Sequence, residues 1–256
     1  VKRIASPGNP LLKRVRQLAR GRRRGSELLL EGRKLVDAAL ASGVPLDCAL
    51  ISSGDRAPTD LARAIEARGI EVIELPESLF QSVSSVESPE GILALARRPI
   101  HSTSELTASG IILVADGIQD PGNLGALGRV VEASGASGLA LLKGSADPFS
   151  PKAIRGSMGS LLRVPVFELS DLSTLGKVGF RVAALVPRGG IDFRKADYAA
   201  PLAILLGREA TGIPEASLAA ADLRLSIPMK GDVESLNVAT AAALVLYEAN
   251  RNMLAL

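Results

Sequence analysis

Across residues 10–20 the apolar side chains Leu11, Leu12, Val15 and Leu18 recur at helical spacing among basic ones, which predicts an amphipathic helix with a cationic outer face. Short apolar runs then alternate with helical stretches. Strands are expected at 28–31, 48–52, 71–75 and 92–96, and helices at 34–41, 60–68 and 77–82, the second capped by Thr59. This is the pattern of a small α/β domain over residues 1–98. Residues 99–109, with Pro99, His101 and several Ser and Thr, have the composition of a linker.

From 110 to 256 the alternation restarts with longer apolar runs at 111–115, 138–143, 166–169, 182–186, 202–206 and 223–228, each followed by a helix or a loop. Runs without strict two-residue alternation suit a parallel sheet covered by helices on both faces, so the fold class is α/β. A last helix is expected at about 235–252. It is apolar almost all round over 238–247, which predicts burial in the core, with a second subunit as a further cover.

The 47% hydrophobic content of the 256 residues fills ordinary globular cores. No apolar run reaches the roughly 18 to 20 residues that cross a bilayer, and the first thirty residues are basic, so a soluble, cytoplasmic protein without a membrane partner is expected. One cysteine, Cys48, and one histidine, His101, exclude a disulfide framework and a Cys- or His-based metal site. Cys48 reads as a buried strand residue and His101 as a linker residue.

Charge changes the picture more. Residues 1–34 hold eleven Lys and Arg against Glu27 and Glu31, a segment of +9 in a chain of +3. Lys13, Arg14, Arg22, Arg23 and Arg24 are the centre of that cluster. Concentrated cations are the footprint of a phosphate-binding surface, here for RNA; a merely solvated basic helix is the alternative. With no Trp and 3% aromatics, contacts to backbone and RNA shape should outweigh base stacking.

The dinucleotide and P-loop fingerprints are absent, and with His101 stranded in a linker neither a Ser-His-Asp nor a Cys-His triad is expected. Chemistry must then come from Arg, Asn, Ser, carboxylates and main chain. Three segments offer these at the carboxyl ends of expected strands, where open α/β sheets bind ligands. The first, 116–132, contains Asn123, a candidate helix cap, and Arg129. The second is the glycine-bearing loop 206–212 with Gly207 and Glu209. The third, 227–237, carries Ile227, Ser235, Leu236 and Asn237 into the last helix. Read singly, each is as easily a cap, turn or loop.

Together, as N-x-G-x-x-x-R at 123–129, L-G-x-E-x-x-G at 206–212 and I-P-M…S-L-N-V at 227–238, they resemble the motifs of the SpoU (TrmH-like) branch of the SPOUT RNA methyltransferases. The stretch 150–159 is similar to that family's segment between its first two motifs. Residues 29–36 and the basic helix resemble its appended RNA-binding domain, itself similar to certain ribosomal proteins. One departure is Ala210, where the family usually has Gly after the Glu.

The resemblance implies a deep trefoil knot in the carboxyl-terminal sheet, a homodimer through that domain, and S-adenosylmethionine held by main chain around Gly207, Ile227 and Leu236. It implies methyl transfer to a ribose 2′-hydroxyl, ribosomal RNA being the first choice of substrate. Arg129, Asn123, Glu209, Ser235 and Asn237 are then the catalytic group, with Arg129 clamping a phosphate. A guanidinium keeps its proton too firmly to be a comfortable base; Glu209 is a better acceptor, and the base stays unassigned. Lys152 and Arg155 contact RNA on the rim or are solvated helix residues. Transfer RNA as substrate is the alternative within the class, and a non-catalytic RNA-binding ribosome-assembly protein the alternative outside it. An antibiotic-resistance role would differ only in target.

Overall fold

The computed structural model describes residues 2–21, 25–54 and 57–251. It divides into two compact units, residues 1–99 with 149–162, and residues 100–148 with 163–256.

In the first unit the strands β1 (Lys2–Arg3), β2 (Glu27–Glu31), β3 (Leu46–Ser52), β4 (Glu71–Leu75) and β5 (Ile92–Arg97) form one sheet in the order β1-β4-β3-β5-β2. β1, β4 and β3 run parallel, while β5 is antiparallel to both β3 and β2. The helices are α1 (Pro10–Ala19), α2 (Arg33–Ala41), α3 (Thr59–Glu66) and α4 (Glu77–Val83). α1 starts where the Asn9 side chain accepts the Leu11 N–H at 2.9 Å, with Pro10 in the first turn. Its stripe Leu12, Val15 and Leu18 is buried against Leu50, Ile73, Phe80 and Leu95, each side chain contributing about 1.5–3 kcal/mol of apolar burial. Cys48 is buried in the same cluster, and burial pushes its thiol up to about 11. Thr59 does not cap α3. Pro58 holds the cap position without a side-chain bond, and Thr59 is the first helical residue, because the preceding proline already sets a non-helical entry.

The second unit contains β6 (Ile100–His101), β7 (Ile111–Asp116), α5 (Pro121–Ala133) and β8 (Gly138–Leu142). The chain then gives α6 (Pro151–Ser157) to the first unit, where it lies against β2. It returns with β9 (Val166–Glu168), α7 (Ser173–Val178), β10 (Arg181–Leu185), β11 (Ile191–Asp192), β12 (Leu202–Leu206), α8 (Glu215–Ala219), β13 (Leu223–Ser226) and α9 (Val238–Ala249). All eight strands are parallel, in the order β11-β13-β10-β12-β7-β8-β9-β6. β7, β8 and β12 are buried at every position, as a sheet covered on both faces requires. The direction of growth changes at β7: β8 and β9 add on one side, and β12, β10 and β13 lie on the other. The carboxyl ends beside such a switch are where an open α/β sheet leaves a crevice.

Residues 100–105 are ordered rather than plain linker: Ile100 pairs with Val166 in β9, and Ser102 and Glu105 form a capping box around a 3-10 turn. His101 therefore stands on an edge strand, 3.0 Å from Glu105 and tilted against the Phe167 ring. α9 starts at Val238, later than expected, because Asn237 caps it. It buries Ala242, Val245 and Leu246 against the rest of its unit but leaves Leu244 and Tyr247 42% and 47% exposed. Among the described residues no helix is long and apolar enough to cross a membrane.

Candidate active site

α5 begins after β7 at an Asp-Pro step. The Asp120 carboxylate accepts the Asn123 N–H at 2.9 Å and Pro121 takes the first turn. Asp120, and not Asn123, is thus the cap. An Asp directly before Pro, three residues ahead of Asn123, is the signal that marked it. The Asn123 side chain is left to bridge: its Nδ2 donates to Glu209 Oε1 at 3.0 Å and its Oδ1 accepts from Asn237 Nδ2 at 3.1 Å. Asn237 Oδ1 in turn accepts the N–H groups of Ala239 and Thr240, at 2.9 and 3.4 Å, and caps α9. One polar residue from each of the three sequence motifs is joined in a single hydrogen-bonded chain.

Glu209 is the charged end of that chain. Partial burial raises its carboxyl, but the bond from Asn123 and main-chain N–H groups, including that of Gln119, outweigh this and hold the group below its ordinary range. A carboxylate so held orients a donor well and takes a proton reluctantly.

A cavity of about 730 Å³ opens at the carboxyl ends of β10, β12 and β13, within the size range of small-molecule sites. Gly207, Ile227, Ser235 and Leu236 line it together with Asn123, Glu209 and Asn237. Its lining comes largely from the loops after those strands. At Gly207 two stretches of main chain come close: a Cβ there would stand 2.2 Å from the Ile213 nitrogen and 2.3 Å from the Gly212 carbonyl carbon. Only glycine permits that approach. The loop closes on itself through paired main-chain bonds between Arg208 and Gly212, both 2.9 Å. Among the described residues Met158 alone has a positive φ without being glycine, so Ala210 occupies a conformation open to any side chain. A second cavity of about 510 Å³ adjoins the first through Asn123 and Glu209, and is bounded by Gln119, Asp120, Arg208 and Thr211.

Arg129 is not brought into either cavity. It is exposed on α5, and its guanidinium makes no hydrogen bond or ion pair among the described residues. Of the cationic candidates in the first unit, Lys13 is exposed on α1, and Arg14 is partly buried in an ion pair with Glu27 at 3.0 Å. On α6, Lys152 is exposed, and Arg155 donates to Ser85 Oγ at 2.8 Å. Arg22, Arg23 and Arg24 lie outside the described residues. Sequence reasoning passed over Arg208, Asp120 and the segment 185–187. The last ends a parallel strand, a position that the strand pattern alone marks as ligand-facing.

A family model described as the SpoU rRNA Methylase family matches residues 110–247, and one described as the MRM3-like substrate binding domain matches 9–94. The chain is similar to a Bacillus subtilis 23S rRNA (guanosine(2553)-2′-O)-methyltransferase, RlmP, with 32% identity over 96% of this chain and 98% of that one. Among solved structures it is similar to an AdoMet-bound rRNA methyltransferase from Sinorhizobium meliloti, with a TM-score of 0.88, 29% identity and 99% of each chain covered. It is also similar to the SpoU methyltransferase AviRb from Streptomyces viridochromogenes in complex with AdoMet, with a TM-score of 0.84, 26% identity, and 96% of this chain and 99% of that one covered.

Proposed function

The chain belongs to the SpoU rRNA methylase family, and on that footing we propose that it methylates ribosomal RNA on a ribose 2′-hydroxyl with S-adenosylmethionine as donor. The observation that carries this reading is the cavity around Gly207, which the hydrogen-bonded chain Glu209–Asn123–Asn237 also lines.

The residues fit the donor. Adenine and amino-acid edges are read by N–H and C=O groups, and the loop whose 207 and 212–213 main chains approach closely because Gly207 lacks a Cβ lines the cavity with Ile227 and Leu236. When bound, S-adenosylmethionine supplies an electrophilic methyl group on its sulfonium. Every other task falls to the protein. Glu209 accepts from the ribose hydroxyl and orients it, Asn123 and Asn237 hold that carboxylate in place, and Ser235 is a further polar group on the cavity wall. Arg129 and the first unit's Lys13, Arg14 and Arg22–Arg24, with Lys152 and Arg155, bind the RNA backbone. The division of labour gives the larger share of RNA binding to residues 1–98, and transfer with the remaining RNA contacts to 110–256, with support from the two family matches.

The same reading includes the family's trefoil knot and a cytoplasmic location beside the ribosomal substrate. It includes a homodimer through the second unit, supported by the exposed apolar face of α9 at Leu244 and Tyr247. Light scattering at micromolar concentration should give twice the chain mass; a monomer would remove the dimer.

Incubation with methyl-labelled S-adenosylmethionine and unmodified ribosomal RNA, followed by alkaline digestion, tests the transfer. A methylated 2′-oxygen cannot attack its neighbouring phosphate, so label is expected in alkali-resistant dinucleotides and should be lost in Asn123→Ala. Label appearing only with transfer RNA would move the substrate, and absence of cofactor binding would overturn the reading. Ala210, where the family usually has Gly, has no positive φ, so its side chain is compatible with the backbone of the loop.

A further inference from the structure

Arg208 stands between the two cavities, lining both the 730 Å³ space and the 510 Å³ space. Its main chain is fixed by the paired bonds to Gly212, and its side chain lies across Gly117. Gly117 is held by its own N–H, which donates to Ser145 Oγ at 3.0 Å, while that hydroxyl donates to the Ala115 carbonyl at the end of β7. The packing is intimate. With φ at +75°, a Cβ on Gly117 would come 2.7 Å from Arg208 Nε and 3.0 Å from its Cγ. The Arg208 stem is therefore bedded on a rigid strand end.

The charge on that bedded side chain is not used within the protein. The two carboxylates that share the smaller cavity are engaged elsewhere: Asp120 Oδ1 takes the Asn123 N–H, and Glu209 takes Asn123 Nδ2 and the Gln119 N–H. Among the described residues the Arg208 guanidinium makes no hydrogen bond or ion pair, and Arg208 is exposed. A ribose whose 2′-hydroxyl is to be aligned by Glu209 always carries a phosphate on its adjacent 3′-oxygen. That phosphate would meet the Glu209 carboxylate at short range and be repelled unless a cation stood beside it. Arg129 lines neither cavity; Arg208 lines both.

We propose that Arg208 is the RNA-binding residue that grips the phosphate next to the target ribose, in the cavity bounded by Gln119, Asp120, Asn123 and Thr211. The inference rests on the methyl-transfer reading for the identity of its ligand. A planar guanidinium bedded along its stem presents its fork to a phosphate with little ordering left to lose. It offsets the carboxylate of Glu209 where a nucleotide must pass, and so it raises affinity for RNA.

The test compares Arg208→Ala and Arg208→Lys with the wild-type chain, using unmodified ribosomal RNA for binding over a salt series and S-adenosylmethionine for calorimetry. Arg208→Ala should weaken RNA binding about tenfold, lower the slope of log affinity against log salt by about one, and raise KM for RNA more than it lowers kcat. Arg208→Lys should restore the slope and only part of the affinity. Cofactor affinity should stay within about twofold in both variants, since the Arg208 main-chain bonds survive either change. Unchanged RNA affinity and slope in Arg208→Ala would overturn the proposal, as would a loss confined to cofactor binding. If wild-type protein left no alkali-resistant label, the transfer reading would fall. The salt slope, measured without turnover, would still decide whether Arg208 holds a phosphate.

Discussion

Asn237 Nδ2 donates to Asn123 Oδ1 at 3.1 Å, so the residue that caps α9 is tied to the first turn of α5. Each end of the Asn237 amide has its own task. The oxygen satisfies two N–H groups at the start of α9, and the nitrogen fixes the Asn123 side chain that holds Glu209. Two helices that pack on each other are thereby brought to one polar point beside the cavity.

The two tasks can be separated. Asn237→Asp keeps an oxygen over the helix start and adds a charge that the dipole favours, but it cannot donate to Asn123. Its unfolding midpoint should stay within about 3 °C of wild type, while single-turnover methyl transfer falls at least about tenfold. Asn237→Ala should lose about 1 kcal/mol of stability as well. Full turnover in Asn237→Asp would show that the bond to Asn123 serves folding alone.

Glu209 makes a prediction about pH. Its folded-state pKa lies below the ordinary 4.5, so the stability that the Asn123–Glu209 contact contributes is present above that value and is lost as pH falls through the lower folded value. Across about pH 6 to 8 the group stays ionised, and the pH profile of kcat should carry no inflection that Glu209→Gln removes. Glu209→Gln itself should lower kcat at every pH by a similar factor. An inflection near neutrality that vanished in the variant would make Glu209 the proton acceptor rather than the residue that orients the hydroxyl.

The parts of this fold that were legible in the sequence are those with enough residues to show a period. The strands at 71–75 and 202–206 fall where the apolar runs put them, and the all-parallel second sheet follows from runs without alternation. Two-residue strands such as Ile100–His101 and Ile191–Asp192 carry no period and were invisible. The packing of residues 149–162 with the first unit depends on α6, which buries Ala153 and Ile154, lying against β2, a tertiary preference that no local pattern encodes. At the site, Asn123, Glu209 and Asn237 were found because they sit in motifs. Arg208 sits inside one of those motifs as a variable position, and only its bed on Gly117 distinguishes it from any exposed arginine.

Met158, at φ 51°, is left-handed at the end of α6 and 39% exposed. A side chain costs roughly 1 kcal/mol in that conformation, and with 39% of its surface exposed the packing of the methionine offsets only part of that cost. Met158→Gly should therefore stabilise the chain by up to about 1 kcal/mol, read as a higher denaturant midpoint with an unchanged slope. A lower midpoint would mean that the methionine packs to more effect than its exposure suggests.

Gly207 and Ala210 occupy the same loop under opposite constraints, and exchanging their side chains tests which of the two the cavity needs. Gly207→Ala places a carbon 2.2 Å from the Ile213 nitrogen, against main chain that is itself held by the Arg208–Gly212 bonds. No rotamer relieves such a contact, so the loop must move. A loss of about 1–3 kcal/mol of stability is expected, with cofactor affinity falling at least about tenfold by calorimetry. Ala210→Gly, at a backbone conformation without positive φ, should cost less than about 1 kcal/mol through the unfolded chain's extra freedom and leave cofactor affinity within about twofold. The pair separates backbone approach from loop flexibility. If Ala210→Gly instead strengthened cofactor binding several-fold, the alanine would be restraining the loop. If Gly207→Ala bound the cofactor normally, the main-chain cradle would not be where the donor lies.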